Sequence, residues 1–191
     1  MKRLLLILAL MLATAPAIAQ NKPLPTDSIY HLDVQFTDQA GHTQPLAARR
    51  GRPQLVTMLY TSCQMVCPLI IDSLRQTWKT LDAGDRSRID LLAVSFDPER
   101  DTVAALRAYA AKRQLVAPPW TLARTKAGDV RQLSGVLGLQ YRQLPDGEFN
   151  HSSELILLDA EGRIVARTTR MGRADPGMVA AIRQTLAGKQ R

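Results

Sequence analysis

Apolar residues along this chain gather in short runs between glycine- and proline-marked turns, and the spacing inside the runs alternates between a strand period and a helix period. Val34 to Thr37 and Gln44 to Leu46 flank Asp38-Gln39-Ala40-Gly41, which predicts a hairpin. Gln54 to Tyr60 is a short apolar strand. A helix is predicted after Cys67, with Pro68 in its first position, apolar residues Ile70, Ile71, Leu74, Trp78 and Leu81 at helical spacing, and Gly84 just past its end. Ile89 to Phe96 has the near-continuous apolar run of a strand buried on both faces. Asp101 is placed to cap the next helix, which would turn Val103, Leu106, Tyr109 and Ala110 to one side. Trp120 to Ala123 reads as a strand, and Ala127 to Leu137 as a helix ended by Gly138. Leu155 to Leu158 and Ile164 to Thr168 flank Asp159-Ala160-Glu161-Gly162, a second hairpin, and Asp175-Pro176 opens a last helix with Met178, Val179, Ile182 and Leu186 on one face.

From residue 54 the predicted order is β-α-β-α-β-α-β-β-α. Such alternation builds an α/β domain whose central mixed sheet has parallel pairs and flanking helices. The closing β-β-α is the tail of a thioredoxin-like core, to which the first hairpin is an N-terminal extension. No internal repeat and no long linker divides the chain.

The first 19 residues stand apart. Lys2 and Arg3 precede an uninterrupted apolar run, Leu4 to Leu12, and Ala17-Ile18-Ala19 supplies small residues for cleavage. This predicts a signal peptide over residues 1–19, a mature chain starting at Gln20, an extended polar lead over residues 20–30 and one domain over residues 31–188. The apolar run is short for a bilayer span of ~20 residues, so the expected location is the periplasm. Any membrane contact would come through a partner or an uncleaved, membrane-anchored form.

Composition changes this picture little. Apolar residues make up 46% and charged residues 22%, the balance of a chain with a real core. The formal charge is +8; loss of the signal removes Lys2 and Arg3 and no acid, leaving +6. The basic residues are scattered and aromatics are 5%, so nothing suggests a nucleic-acid partner.

The chemistry lies in the two cysteines. Cys63 and Cys67 are spaced C-x-x-x-C at a strand-to-helix junction, where free helical N–H groups stabilise thiolate over thiol. A bridge closing so small a loop gives the fold little entropy. The pair therefore reads as a redox-active dithiol or as two metal ligands, and a plain structural disulfide is the ordinary alternative in an exported protein. His31 and His42 are expected at the surface. His151, just before the Leu155 strand, is the one histidine that the second hairpin can bring near the dithiol, although a lone histidine is more often structural. Met58 is expected to pack in its strand and Met65 to cover the site. Two thiolates and an imidazole suit copper, or zinc in a tetrahedral site.

Three blocks carry a family resemblance. Tyr60 to Pro68 (YTSCQMVCP) resembles the dithiol motif of the Sco/SenC proteins, Phe96 to Thr102 (FDPERDT) their V-D-P-E-R-D-T signature, and His151 to Arg163 (HSSELILLDAEGR) their D-H-S…L-x-D-x-x-G segment. The resemblance spans about Leu32 to Leu186. It implies a thioredoxin-like fold and copper, Cu(I) or Cu(II), held by Cys63, Cys67 and His151. It also implies a role in delivering copper to, or maturing, the copper centre of cytochrome c oxidase, with oxidase subunit II or another exported cuproprotein as partner. The acid of the second block maps to Asp97, which would support the site from beside it; a strand-ending turn is the other role open to Asp97-Pro98. Gln64 stands where the family often has proline, and Asn150 where it usually has aspartate, which removes a negative charge near His151. The competing activity is thiol–disulfide exchange, with Cys63 attacking and Cys67 resolving.

Overall fold

The computed structural model describes residues 23–188, and the predicted export signal lies outside them. Strands β1 (Gln35–Asp38) and β2 (Thr43–Pro45) form the expected hairpin. Then follow β3 (Gln54–Leu59), α1 (Val66–Lys79), the short α2 (Ala83–Arg86), β4 (Asp90–Ser95), α3 (Val103–Arg113), β5 (Trp120–Thr125) and α4 (Ala127–Leu137). The chain closes with β6 (Tyr141–Gln143), β7 (Phe149–His151), β8 (Leu155–Leu158), β9 (Ile164–Thr168) and α5 (Pro176–Leu186).

Seven strands make one mixed sheet in the order β2-β1-β5-β4-β3-β8-β9, flanked by helices. β3, β4 and β5 run parallel, and β8 and β9 add antiparallel on the far side of β3. This is a thioredoxin-like core, with the first hairpin joined to β5 as an extension. Every residue of β3 is buried, the polar Gln54 and Thr57 together with Leu55, Val56, Met58 and Leu59, as befits a strand covered on both faces. Helix α1 buries Cys67, Ile70, Ile71 and Leu74 on one face, each large apolar side chain contributing about 1.5–3 kcal/mol.

Several local expectations are corrected. The end of the polar lead is not extended: Ile29–His31 form a 3-10 turn, because the Ser28 hydroxyl accepts from Tyr30 N–H and the Ile29 and Tyr30 side chains are buried. Pro68 is the third residue of α1 and not the first; a proline is tolerated there because the N–H groups of a first turn have no intrahelical acceptor. Gly84 lies inside α2, which exists because the Asp82 carboxylate caps Asp85 N–H at 2.8 Å. Thr102 caps α3, its hydroxyl 3.2 Å from Ala105 N, and Asp101 is committed elsewhere. The two-stranded β6–β7 hairpin has no counterpart among the predicted elements, since three-residue strands are too short to show an alternation.

The parallel register pairs Leu55 with Leu91 and Leu59 with Ser95. The loops leaving the carboxyl ends of β3 and β4 are thus brought side by side, where α/β sheets hold their ligands.

Candidate metal centre

Helix α1 starts around a sulfur atom. Met65, its N-cap residue, offers no side-chain cap. Instead Cys67 N–H donates to Cys63 Sγ at 3.3 Å. Burial on its own raises the Cys63 thiol. Hydrogen bonds from the Cys67 side chain and from the N–H groups of Cys67, Met65 and Val66 outweigh it, so Cys63 is held below the ordinary thiol value. Cys67 goes the other way: burial pushes its thiol far up, and the charges of Cys63 and Asp101 add to the effect. Both thiols are free, and both are buried.

The third group comes from β7. His151 Nε2 lies 3.9 Å from Cys67 Sγ. Its Nδ1 is 2.9 Å from the Ser152 carbonyl oxygen. A carbonyl only accepts, so Nδ1 carries the proton and Nε2 presents its lone pair to the sulfurs. Burial keeps this imidazole below the ordinary histidine value, and therefore neutral near pH 7. One ligand atom from each of Cys63, Cys67 and His151 lies within 4.8 Å of the others. Among the described residues, this is the group that could hold a metal ion. Two sulfurs and one imidazole nitrogen, without a carboxylate, form a soft to borderline donor set that fits copper or zinc.

The hairpin that brings His151 is built from aromatic contacts. The imidazole sits 4.9 Å from the Phe96 ring and meets Tyr60 edge-on at 5.9 Å. Tyr60 hydroxyl donates to Glu148 Oε2 at 2.7 Å, tying the dithiol loop to the hairpin. Arg100 donates to Gly147 O at 2.5 Å at the hairpin tip and lies over the Phe149 ring.

Asp97 is not drawn into the cluster. It is buried at the end of β4, its carboxylate pairs with Arg100 and its N–H donates to Ser95 Oγ. The carboxylate joined to the dithiol loop is Asp101. It accepts from Thr61 N–H at 3.1 Å, from Thr61 Oγ1 at 2.5 Å and from Ser95 Oγ at 2.5 Å. Burial raises its pKa, and the Ser95 and Thr61 hydrogen bonds oppose that rise. Sequence reasoning spent Asp101 on the helix cap; Thr102, the next residue and also a capping type, was the signal that Asp101 could be free for another role.

Met58 is fully buried in β3 as expected. Met65 is 85% exposed and does not cover the site, because its position before α1 turns it outward. His31 and His42 are at the surface. Gln64 and Asn150 are also exposed, and Asn150 faces Arg142 across the hairpin.

The family model SCO1/SenC matches residues 25–187, nearly the whole described chain, and the protein belongs to that family. A Stutzerimonas stutzeri protein with a provisional copper-binding name is 25% identical over 186 residues, covering 86% of this chain and 85% of its own. The crystal structure of Arabidopsis thaliana ScoI with copper bound superposes with a TM-score of 0.67 at 19% identity, covering 78% of this chain and 96% of that one. BsSco, described as a member of the Sco family of cytochrome c oxidase assembly proteins and as containing a disulfide switch, gives a TM-score of 0.67 at 19% identity, with 80% and 91% covered.

Proposed function

We propose that this protein is an exported copper-binding factor that works outside the cytoplasm in the assembly of a copper centre of cytochrome c oxidase. Copper is its cargo, held by Cys63, Cys67 and His151 and passed by ligand exchange to subunit II or another exported cuproprotein. The observation that carries this is the convergence of three donor atoms from two separate elements within 4.8 Å, with the imidazole lone pair turned to the sulfurs. The family membership and the copper-bound ScoI relative favour copper over zinc. The signal-like segment before Gln20 supports export. In copper-limited cells lacking the native copy, His151→Ala should fail to restore oxidase activity. Full restoration would remove copper handling as its job.

A second activity is favoured by the opposed shifts of the two thiols. Cys63, held low, suits an attacking thiolate, and Cys67, buried and protonated, suits a resolving thiol. Thiol–disulfide exchange on a partner's cysteines needs only these two sulfurs. A His151→Ala protein that still forms and breaks the Cys63–Cys67 disulfide separates the two activities.

A further inference from the structure

β6 has a neighbour on one side only. It pairs with β7, and among the described residues no strand lies along its other edge. The hairpin's own bonds fix what that edge presents. Gln140 O accepts from Ser152 N–H at 2.8 Å, and Leu144 N–H donates to Glu148 O at 2.7 Å. Main-chain groups of successive residues point to opposite sides of a strand. Gln140, Arg142 and Leu144 therefore turn theirs to β7, and Tyr141 and Gln143 turn theirs outward. The edge borders a groove of about 620 Å³ that α4 lines as well. The α4 residues there include Ala127, Ser134 and Gly135, and a Cβ placed on Gly135 would meet no atom within 4 Å. Small side chains and open space leave room for a main chain beside β6. An unpaired strand edge is a template for pairing with another segment.

Charge decides which segment fits. Arg142 on the edge and Arg131 on α4 line the groove, are exposed, and form no ion pair among the described residues. Of the two acids on the lining, Asp97 is paired with Arg100, which leaves Glu99 on the loop after β4. A second copy of this chain is disfavoured, because antiparallel pairing of β6 with itself about its centre sets Arg142 against Arg142. An extended segment with acidic residues meets both arginines instead.

We propose that the free edge of β6 is a docking strand for an extended, acidic segment of the protein that receives the copper. The segment adds to the hairpin as a third strand, held by the Tyr141 and Gln143 main-chain groups, with carboxylates on Arg131 and Arg142. Tyr141 lies directly opposite His151 across the hairpin. Neighbouring strands are about 4.8 Å apart, so the docked segment runs about 10 Å from the strand that bears His151. A recipient held there brings its own ligands beside the copper while its docking segment leaves the three donors untouched. The choice of the recipient as partner rests on the copper reading; the docking edge itself uses no metal.

The test uses the full mature chain. The probes are a capped nine-residue peptide alternating valine with glutamate, and its counterpart with lysine for glutamate. In the free chain the Tyr141 and Gln143 amides should exchange with deuterium quickly and the Arg142 amide slowly. Saturating acidic peptide should slow Tyr141 and Gln143 at least about fivefold. It should bind about three- to tenfold more tightly than the lysine peptide, the scale of two exposed charge pairs. Arg131→Glu/Arg142→Glu should reverse that preference. Gln143→Pro, which removes an outward N–H and spares the ladder to β7, should abolish binding, whereas Gln143→Ala should keep it. The acidic peptide should also slow copper transfer to the copper-free soluble domain of oxidase subunit II. Unprotected edge amides, equal affinity for the two peptides, or transfer that proceeds unslowed with the edge occupied overturns the proposal. Edge protection that needs no peptide and rises with protein concentration assigns the edge to a second copy and overturns it too. Absence of transfer without any peptide is a failure of the copper reading, and that control tells the two failures apart.

Discussion

Cys67 and His151 are 84 positions apart in the chain, and their Sγ and Nε2 atoms meet at 3.9 Å. The pair mixes two protonation states. The imidazole is neutral and aimed, while the Cys67 thiol is pushed so high by burial that it holds its proton near pH 7. Copper must displace that proton, so binding should release at least one proton from Cys67. Apparent affinity should rise by at least about tenfold per pH unit. Competition titrations with a copper(I) chelator at pH 6, 7 and 8 check this. A flat profile would mean that Cys67 is not a ligand or is already a thiolate.

The asymmetry of the two thiols has its own signature. Cys63 Sγ accepts from the first turn of α1 and is held low, whereas Cys67 is fully buried. Iodoacetamide should label Cys63 at least about tenfold faster than Cys67, following thiolate fraction and access. The labelling midpoint should fall below the ordinary thiol value. Peptide mapping after brief exposure reads the ratio, and equal labelling would contradict it.

Asp101 fastens the loop bearing Cys63 to the end of β4 through three donors. Asp101→Ala leaves the Thr61 N–H and two hydroxyls without their acceptor in a buried place. It should cost about 2–4 kcal/mol in urea unfolding. A loss under about 0.5 kcal/mol would show that water replaces the carboxylate freely.

Asp175 caps α5, accepting from Gly177 N–H at 2.8 Å and from the Thr168 hydroxyl. These contacts, Thr168 first, hold its carboxyl below the ordinary value. A depressed folded-state pKa adds stability above the unfolded value of about 4 and loses it as pH falls through the lower folded value. Asp175→Ala should cost about 1 kcal/mol at pH 7 and less at pH 3. Asp175→Asn should keep most of the cap and lose the pH dependence. Unfolding curves at both pH values decide it.

The long elements were legible because burial on both faces of β3 and β4, and on one face of α1, leaves an unbroken or regularly spaced apolar pattern. The donor set was legible as residue types, yet its geometry was not. The hairpin that delivers His151 is held by Tyr60, Phe96 and Arg100, side chains contributed by two other loops. Such contacts leave no period in the sequence. Asp101 was misassigned for a related reason: a carboxylate just before a helix suits a cap locally, and only the parallel pairing of β3 with β4 brings Thr61 within its reach.

The central claim is a single copper site made of two sulfurs and one imidazole. Copper-edge X-ray absorption on the singly loaded mature protein tests it most directly. The account predicts two sulfur scatterers and one imidazole per copper in the wild-type chain, with the imidazole signal lost and the two sulfurs kept in His151→Ala. An unchanged imidazole signal in that variant, or a sulfur-only shell in the wild type, would contradict it.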